Sequence, residues 1–392
     1  MWALVAVALA CALPQRAQRK FALVPMDEYE RTFQALLRYR ALAAEDDGAG
    51  LPAIEAPVLP GGHYDGVPRL IRLLRLLGDL SADTILDDPD STLYSPPVVF
   101  AVQRFQNRHG LEPTGRIDRA TLAQLNTPLS FRVHQLELAL ERWRRNPYDP
   151  DRPAIVLNLP EFRLRAYRAR TLELEMKIVI GKAQEHNTPL FSSELTSVVF
   201  RPYWNVPLRI QRDELVPEIV KDPTYLSDHG MEMVSSRGAV LEGGLSDDTL
   251  EQLRTGRLRL RQMPGPKNAL GLAMFVFPNE WDVYMHGTSA PSVFWRTRRD
   301  LSHGCIRVEK AEELAAWVLR DQPGWSRERI VEAMQGSESH SVKLSRPIQV
   351  VTTYITAVVL ENGEVHFFDD IYGEDEIFAR ELSGAQMRLS HR

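Results

Sequence analysis

The sequence predicts a multidomain α+β protein: a small three-helix bundle, then a mainly β, sandwich-like domain that carries an inserted helical cap. Three observations lead there. The chain has 392 residues, too many for one ordinary core. Apolar residues recur at helical spacing in short stretches between 60 and 128. After Pro153 the period changes to two, which marks strands. Hydrophobic residues make up 44% and charged residues 25%, which excludes disorder as the main state. A net charge of −5 argues against a nucleic-acid partner, which would call for a basic domain or stripe.

The first element is the apolar run Leu4 to Leu13. Spanning a bilayer takes about 20 apolar residues, so this run is too short. Its length, its small residues and its Ala8-to-Ala10 ending match a secretory h-region, although no basic residue precedes it. The expectation is export, with residues 1–13 as a signal segment; cleavage, lipidation at Cys11 and retention as a membrane-associated segment all fit. Cys11 and Cys305 are the two cysteines. Without the segment, Cys305 has no disulfide partner within the chain, and an unpaired thiol in an oxidising compartment is a liability unless chemistry requires it.

Residues 14–59 read as a helical scaffold segment and linker. Phe33, Leu36, Leu37 and Tyr39 recur at near-helical spacing, and the Gly- and Pro-rich stretch from Gly48 to Gly66 reads as an irregular crossing. Residues 60–128 form the bundle. Leu70, Leu73, Leu74 and Leu77 make one stripe stopped by Gly78, and Val98, Val102 and Phe105 make a second, with Gly110 as its C′ residue. Asp118 is the N-cap of a third helix carrying Leu122 and Leu125. Residues 129–151 read as a connecting helix, 152–375 as the β domain and 376–392 as a tail.

In the β domain Ile155, Leu157 and Leu159 alternate with Val156 and Asn158. Leu172, Leu174, Met176, Ile178 and Ile180 alternate with a mostly charged face. Pro278-Asn279-Glu280 between two apolar runs predicts a hairpin, as does Asn362-Gly363 between Ile348–Leu360 and Val365–Phe368. From about 208 to 262 the strand pattern gives way to a helical insertion carrying Leu215, Ile219 and Val220. A long insertion in a sheet domain is often a lid.

The candidate chemistry lies in Tyr284-Met285-His286-Gly287 and Ser302-His303-Gly304-Cys305-Ile306-Arg307. An ordinary cysteine ionises at a pKa of about 8.5, so nucleophilic attack at neutral pH needs a base. An imidazole takes the thiol proton and returns it to the departing amine. His303 lies two residues before Cys305, and His286 ends a strand whose neighbour would bring it to the thiol; the residues alone leave both open. Gly304 lets the backbone approach a substrate and aim N–H groups at an oxyanion. Arg307 suits a substrate carboxylate. A zinc site from His286, His303 and Cys305 has only three ligands and no Cys-x-x-Cys, so no metal is expected.

Two patterns resemble known families. Ala101-Val102-Gln103-Arg104-Phe105-Gln106, with His109-Gly110-Leu111, Thr114-Gly115-Arg116-Ile117-Asp118 and Thr121-Leu122, closely resembles the peptidoglycan-binding domain family. His286, fifteen intervening residues and Ser302-His303-Gly304-Cys305-Ile306-Arg307 resemble the active-site motif of the L,D-transpeptidase catalytic family. Tyr203-Trp204-Asn205-Val206-Pro207, the stretch Pro264 to Gly271 and Phe277-Pro278-Asn279 agree with it. Together they are similar to the large periplasmic L,D-transpeptidases of Gram-negative bacteria, over about residues 25 to 375.

That resemblance implies a role for each residue. Cys305 is the nucleophile and His286 the general base and acid. His303 lies beside the site and fixes the loop. The N–H groups of Gly304 and Cys305 form the oxyanion hole. Gly287, where relatives often carry Asp, orients His286 through its backbone oxygen. Ser302, Arg307, Trp204 and Tyr225 are expected at the substrate. The implied reaction attacks the third residue of a tetrapeptide stem, releases D-alanine and passes the acyl group to a second stem in a 3→3 crosslink. Water as acceptor gives L,D-carboxypeptidase activity, a free D-amino acid gives exchange, and a lysine of an outer-membrane lipoprotein gives anchoring. The expected partners are peptidoglycan stem peptides and glycan, met by a periplasmic monomer without cofactor. A papain-type peptidase is disfavoured by the residues around Cys305, and a non-catalytic wall-binding protein by the joint presence of His286, Gly304, Cys305 and Arg307.

Overall fold

The computed structural model describes residues 26–145, 148–241 and 243–390. The expected signal segment, residues 1–13, and the start of the scaffold segment lie outside them. The chain divides into two compact units. One holds residues up to 150 with 158–161 and 353–392; the other holds 151–157 and 162–352.

In the first unit, three short helices form the bundle: Val67–Leu77, Pro96–Arg108 and Arg119–Leu125. Each start and stop has a local cause. Proline sits in the first turn of the first two helices, where its missing N–H costs nothing. Gly78 ends the first at φ +82°, a left-handed cap that a side chain would resist. The Asp118 carboxylate accepts the Thr121 N–H at 2.8 Å and starts the third. Leu70, Leu74, Tyr94, Val98, Val102, Phe105 and Ile117 make the core. Leu51 and Tyr64 are buried in that core too, and Val58 bridges to Ile117. The stretch expected as a linker is therefore part of the bundle.

A second core in this unit joins Met26–Glu45 and Leu129–Arg145 to a hairpin of β13 (Ala357–Val359) and β14 (Val365–Phe367). Here the expected boundary at 375 moves. The Asn-Gly turn forms, with Gly363 at φ +80°, but its strands leave the β domain. Ile355, Ala357, Val359, Val365 and Phe367 pack with Leu36, Tyr39, Leu136 and Ala139 instead. The Asn158 amide fixes the departure, donating to Ile355 O at 2.9 Å and accepting Ile355 N–H at 2.8 Å. The expected tail begins in a helix, Glu374–Ser390, tied to the unit by an Arg142–Asp375 ion pair. Buried Arg108 binds the Asp79 carboxylate with two nitrogens and donates to Val365 O at 2.9 Å.

The second unit is built on a nine-stranded sheet: β1 (Ala154–Asn158), β2 (Arg163–Arg168), β3 (Thr171–Gly181), β4 (Ser192–Phe200), β8 (Ala273–Val276), β9 (Met285–His286), β10 (Asp300–Ser302), β11 (Ile306–Val308) and β12 (His340–Thr353). Their order is β10-β3-β11-β9-β8-β4-β12-β1-β2, and β2 pairs again with β3, so the sheet folds back on itself. Strand β3 is the hub. Its first part pairs with β2, Ile178 and Val179 pair with β11, and Ile180 and Gly181 pair with β10. The alternation expected in β3 holds only from Leu174 to Ile178: Leu172 near its start is exposed, and Val179, expected on the other face, is buried along with Ile178 and Ile180. Strand β1 is buried on both faces rather than alternating. The 278–280 turn opens into a longer loop, since Trp281–Tyr284 are not strand; the Asn279 amide organises it by donating to Phe277 O and Val283 O.

The insertion has its own core and is not simply helical. A three-stranded antiparallel sheet, β5 (Trp204–Asn205), β7 (Leu258–Gln262) and β6 (Met231–Ser235), packs with helices Val216–Lys221 and Asp247–Thr255. The missed signal was alternation: Met231 and Met233, and Leu258 and Leu260, are buried on one face. Gln211, fully buried in a π-helical turn (Gln211–Leu215), donates to Leu253 O and Leu258 O and accepts the Leu260 N–H.

Candidate functional site

Two short parallel strands bring the motif together. Strands β9 and β11 pair in parallel with Met285 opposite Ile306 and His286 opposite Arg307, and Ile306 N–H donates to Tyr284 O at 3.0 Å. Cys305, immediately before Ile306, therefore sits at the head of β11, level with the residues leading into His286. Its sulfur is 3.9 Å from Asp282 O.

The loop Ser302–Cys305 is held by a web of buried hydrogen bonds. Gly304 has φ +112°, where a side chain is strained. The Ser302 hydroxyl donates to Cys305 O at 2.5 Å and accepts Gly304 N–H at 3.2 Å. The Thr188 hydroxyl donates to Gly304 O at 2.8 Å and accepts Gly181 N–H at 2.9 Å. This corrects two expectations. Ser302 is buried and its hydroxyl serves the loop rather than a substrate. The Gly304 N–H is turned to Ser302, which leaves the Cys305 N–H as the loop's candidate oxyanion donor.

Electrostatics set the resting state of the site. His286 is buried, and its pKa is lowered to about 3 by burial and then by the Arg307 charge, with the Gly287 and Leu270 carbonyls opposing. Its Nδ1 lies 2.7 Å from Gly287 O. A carbonyl only accepts, so Nδ1 carries the proton and Nε2 keeps a lone pair. Burial pushes the half-buried Cys305 thiol up, while Tyr284, through its backbone and its hydroxyl, and the Arg307 charge pull it down. The resting pair is a neutral thiol and a neutral imidazole. Arg307 is half-buried, and no carboxylate pairs with it among the described residues.

Toward the insertion lies a second group of charges. His303 Nε2 is 2.7 Å from Glu214 Oε1 on the π-helical turn, and its ring is 4.7 Å from that of His186. Burial, then His303 and Arg209, lower the His186 pKa, against Glu185 and Glu214. Trp204 and Tyr225, expected at the substrate, pack against the insertion's own core, and Tyr225 stacks on His229 at 4.0 Å. Among the described residues, no three His, Cys, Asp or Glu side chains converge as metal ligands would. Nor is any described helix long and apolar enough to cross a membrane.

Residue reading missed Thr188, Tyr284 and Glu214. No short-range signal marks Thr188 or Glu214, which lie 116 and 89 residues from their partners in the loop. Tyr284 stands two residues before His286 and was open to notice.

Comparison with known proteins bears on both units. Residues 152–336 match the family described as "L,D-transpeptidase catalytic domain", and residues 64–125 match "Putative peptidoglycan binding domain". A Haemophilus influenzae protein named "Putative L,D-transpeptidase" is 32% identical over 222 residues, 56% of this chain and 44% of that protein. The match thus spans less than half of that relative's length. Among solved structures, an L,D-transpeptidase from Mycobacterium smegmatis aligns at 13% identity over 52% of this chain and 58% of its own, with a TM-score of 0.25. One from Stackebrandtia nassauensis aligns at 12% identity over 78% and 97%, with a TM-score of 0.27.

Proposed function

We propose, from the match of residues 152–336 to the family described as L,D-transpeptidase catalytic domain, that this chain transfers peptidoglycan acyl groups through a Cys305 thioester. The carrying observation is the parallel pairing of β9 with β11, which seats Cys305 beside the strand that ends in His286.

The steps follow from the site's charges. A tetrapeptide stem enters with the carbonyl of its third residue at Cys305. The thiol is protonated at rest, so His286 Nε2 removes its proton as sulfur attacks. The tetrahedral oxyanion is met by the Cys305 N–H. As the C–N bond breaks, imidazolium returns the proton to the departing D-alanine amine. Burial favours neutral imidazole, which drives that return. Arg307, unpaired at rest, suits a stem carboxylate. An amine of a second stem then attacks the thioester and gives the 3→3 crosslink. The 64–125 module holds the enzyme on its polymer, and the work takes place in the periplasm or cell wall.

The test incubates purified protein with disaccharide-tetrapeptide and follows products by mass spectrometry. Cys305→Ala is expected to abolish D-alanine release and dimer formation, and His286→Ala to reduce turnover by at least 100-fold. Continued release by Cys305→Ala would refute the nucleophile.

A further inference from the structure

We infer that the helical bundle carries a binding site of its own for the peptide stems of the wall polymer, in a cavity between residues 54–57 and the start of its third helix. The inference rests on the wall-holding role of the 64–125 module stated above, and it names the part of the polymer that the module grips.

Two clamps build the cavity. Leu51 N–H donates to Asn126 Oδ1 at 2.7 Å, and Asn126 Nδ2 donates to Leu51 O at 3.2 Å, so one end of the segment is tied to the C-cap of the third helix. The Tyr64 hydroxyl donates to Pro52 O at 2.6 Å and fixes the same end. At the other end Val58 and Ile117 exchange two backbone hydrogen bonds of 3.0 Å, just ahead of that helix. Between the clamps, residues 53–57 make no hydrogen bond to any described residue. The segment stands off the helix there and leaves a cavity of about 410 Å³. That lies within the range of about 300–1,000 Å³ usual for small-ligand sites. Pro52 and Pro57 hold φ near one value at either end of the gap, so the space is formed before a ligand arrives.

The lining chooses the ligand. Ile54, Pro57 and Ala120 give apolar wall, and Glu55 and Arg119 give one charge of each sign. The Asp118 carboxylate is engaged in the helix cap. Glu55 and Arg119 pair neither with each other nor with another charged group among the described residues. An open carboxylate and an open guanidinium over small apolar walls complement a short peptide that offers an ammonium, a carboxylate and methyl side chains. A stem whose third residue is a diamino acid, next to alanine, has all three. A sugar ring offers hydroxyls and an apolar C–H face, which call for amides and aromatic rings, and the cavity lining has neither. The bundle therefore holds peptide rather than glycan, with Glu55 on the stem ammonium and Arg119 on its carboxylate.

The experiment uses the full chain carrying Cys305→Ala, which stops turnover, and measures co-sedimentation with purified sacculi in three forms. One is intact, one is stripped of stems by an N-acetylmuramoyl-L-alanine amidase, and one has its amines acetylated. Wild-type bundle is expected to bind stripped sacculi at least tenfold and acetylated sacculi at least threefold more weakly than intact ones. Glu55→Gln is expected to bind intact sacculi at least threefold more weakly and to lose the response to acetylation. Arg119→Ala is expected to weaken binding at least threefold, with Arg119→Lys recovering most of it. Both side chains are exposed, so these changes leave the fold in place. Arg72→Ala and Glu112→Gln, on the same bundle outside the cavity, are expected to match the wild type. Equal binding to stripped and intact sacculi, or a Glu55→Gln chain that responds to acetylation as the wild type does, overturns the stem site. A wild-type bundle retained on none of the three forms refutes the wall-holding role itself, and the site falls with it.

Discussion

Thr188→Val removes one oxygen and keeps the shape of a buried side chain. In the native loop that oxygen accepts Gly181 N–H and donates to Gly304 O, and Thr188 is 2% exposed. The variant leaves both backbone groups without this partner in a place water does not reach. Each such loss costs about 1–3 kcal/mol, and the added methyl recovers about 0.8 kcal/mol at most. The net is a destabilisation of roughly 1–5 kcal/mol. For a unit of this size, that lowers Tm by roughly 2–20 °C. The Gly304 carbonyl is one bond from the Cys305 nitrogen, so losing its anchor also lets the nucleophile drift; a displacement near 1 Å costs about 100-fold in rate. The assays are thermal unfolding by circular dichroism and thioester formation by intact mass, the latter well below both melting temperatures. Slow acylation there separates a positioning role from simple unfolding, and Thr188→Ser, which keeps the hydroxyl, should recover most of the rate. A Thr188→Val protein that melts within 1 °C of wild type and acylates at the wild-type rate would refute the reasoning.

Other predictions follow from the same geometry. Gly304→Ala meets no atom closer than His186 O at 3.8 Å, so its effect is backbone strain alone: a loss of about 1–3 kcal/mol, with acylation falling in parallel, measured by denaturant titration and intact mass. The His286 pKa is about 3 in the folded chain against 6.5 unfolded. Its contribution to stability is therefore full above pH 6.5 and lost as pH falls toward 3, on the order of 4–5 kcal/mol at most; buried His109 acts in the same direction. Urea titrations from pH 7 to 4 should show falling stability, and a flat profile would contradict the shift. The same value predicts that kcat/KM for donor acylation has no inflection near pH 6.5 belonging to His286, which a stopped-assay pH series checks in the wild type. Asp79→Ala leaves buried Arg108 without its carboxylate and should cost about 3–5 kcal/mol, seen as an early melting phase while the second unit holds.

Much of this protein was legible from short stretches of chain. The three bundle helices, the Gly78 stop and the Asp118 cap follow from local rules that act within one turn, and the structure has each of them. The motif around Cys305 and the distant His286 could be read because its residue types and spacing are specific. Period two marked the strand domain, but it overstated the exposed face of β1, because a strand covered on both sides keeps no polar face. The same limit hid the three-stranded sheet in the insertion, where the alternating runs are only five residues long.

What tertiary structure alone decided is where chain segments far apart meet. The sequence determined that a free thiol, two imidazoles and a glycine share one loop or its neighbour, since those are matters of residue type and short spacing. It had no means to show that Ser302 would spend its hydroxyl inside the loop, that Thr188 would hold Gly304 from 116 residues away, or that Glu214 would face His303. Nor did it show that the Asn362-Gly363 hairpin would join the helical unit. Hydrogen bonds reach about 3 Å and carry no trace along the chain, so only the folded sheet, by setting which strand ends lie side by side, selects the partners.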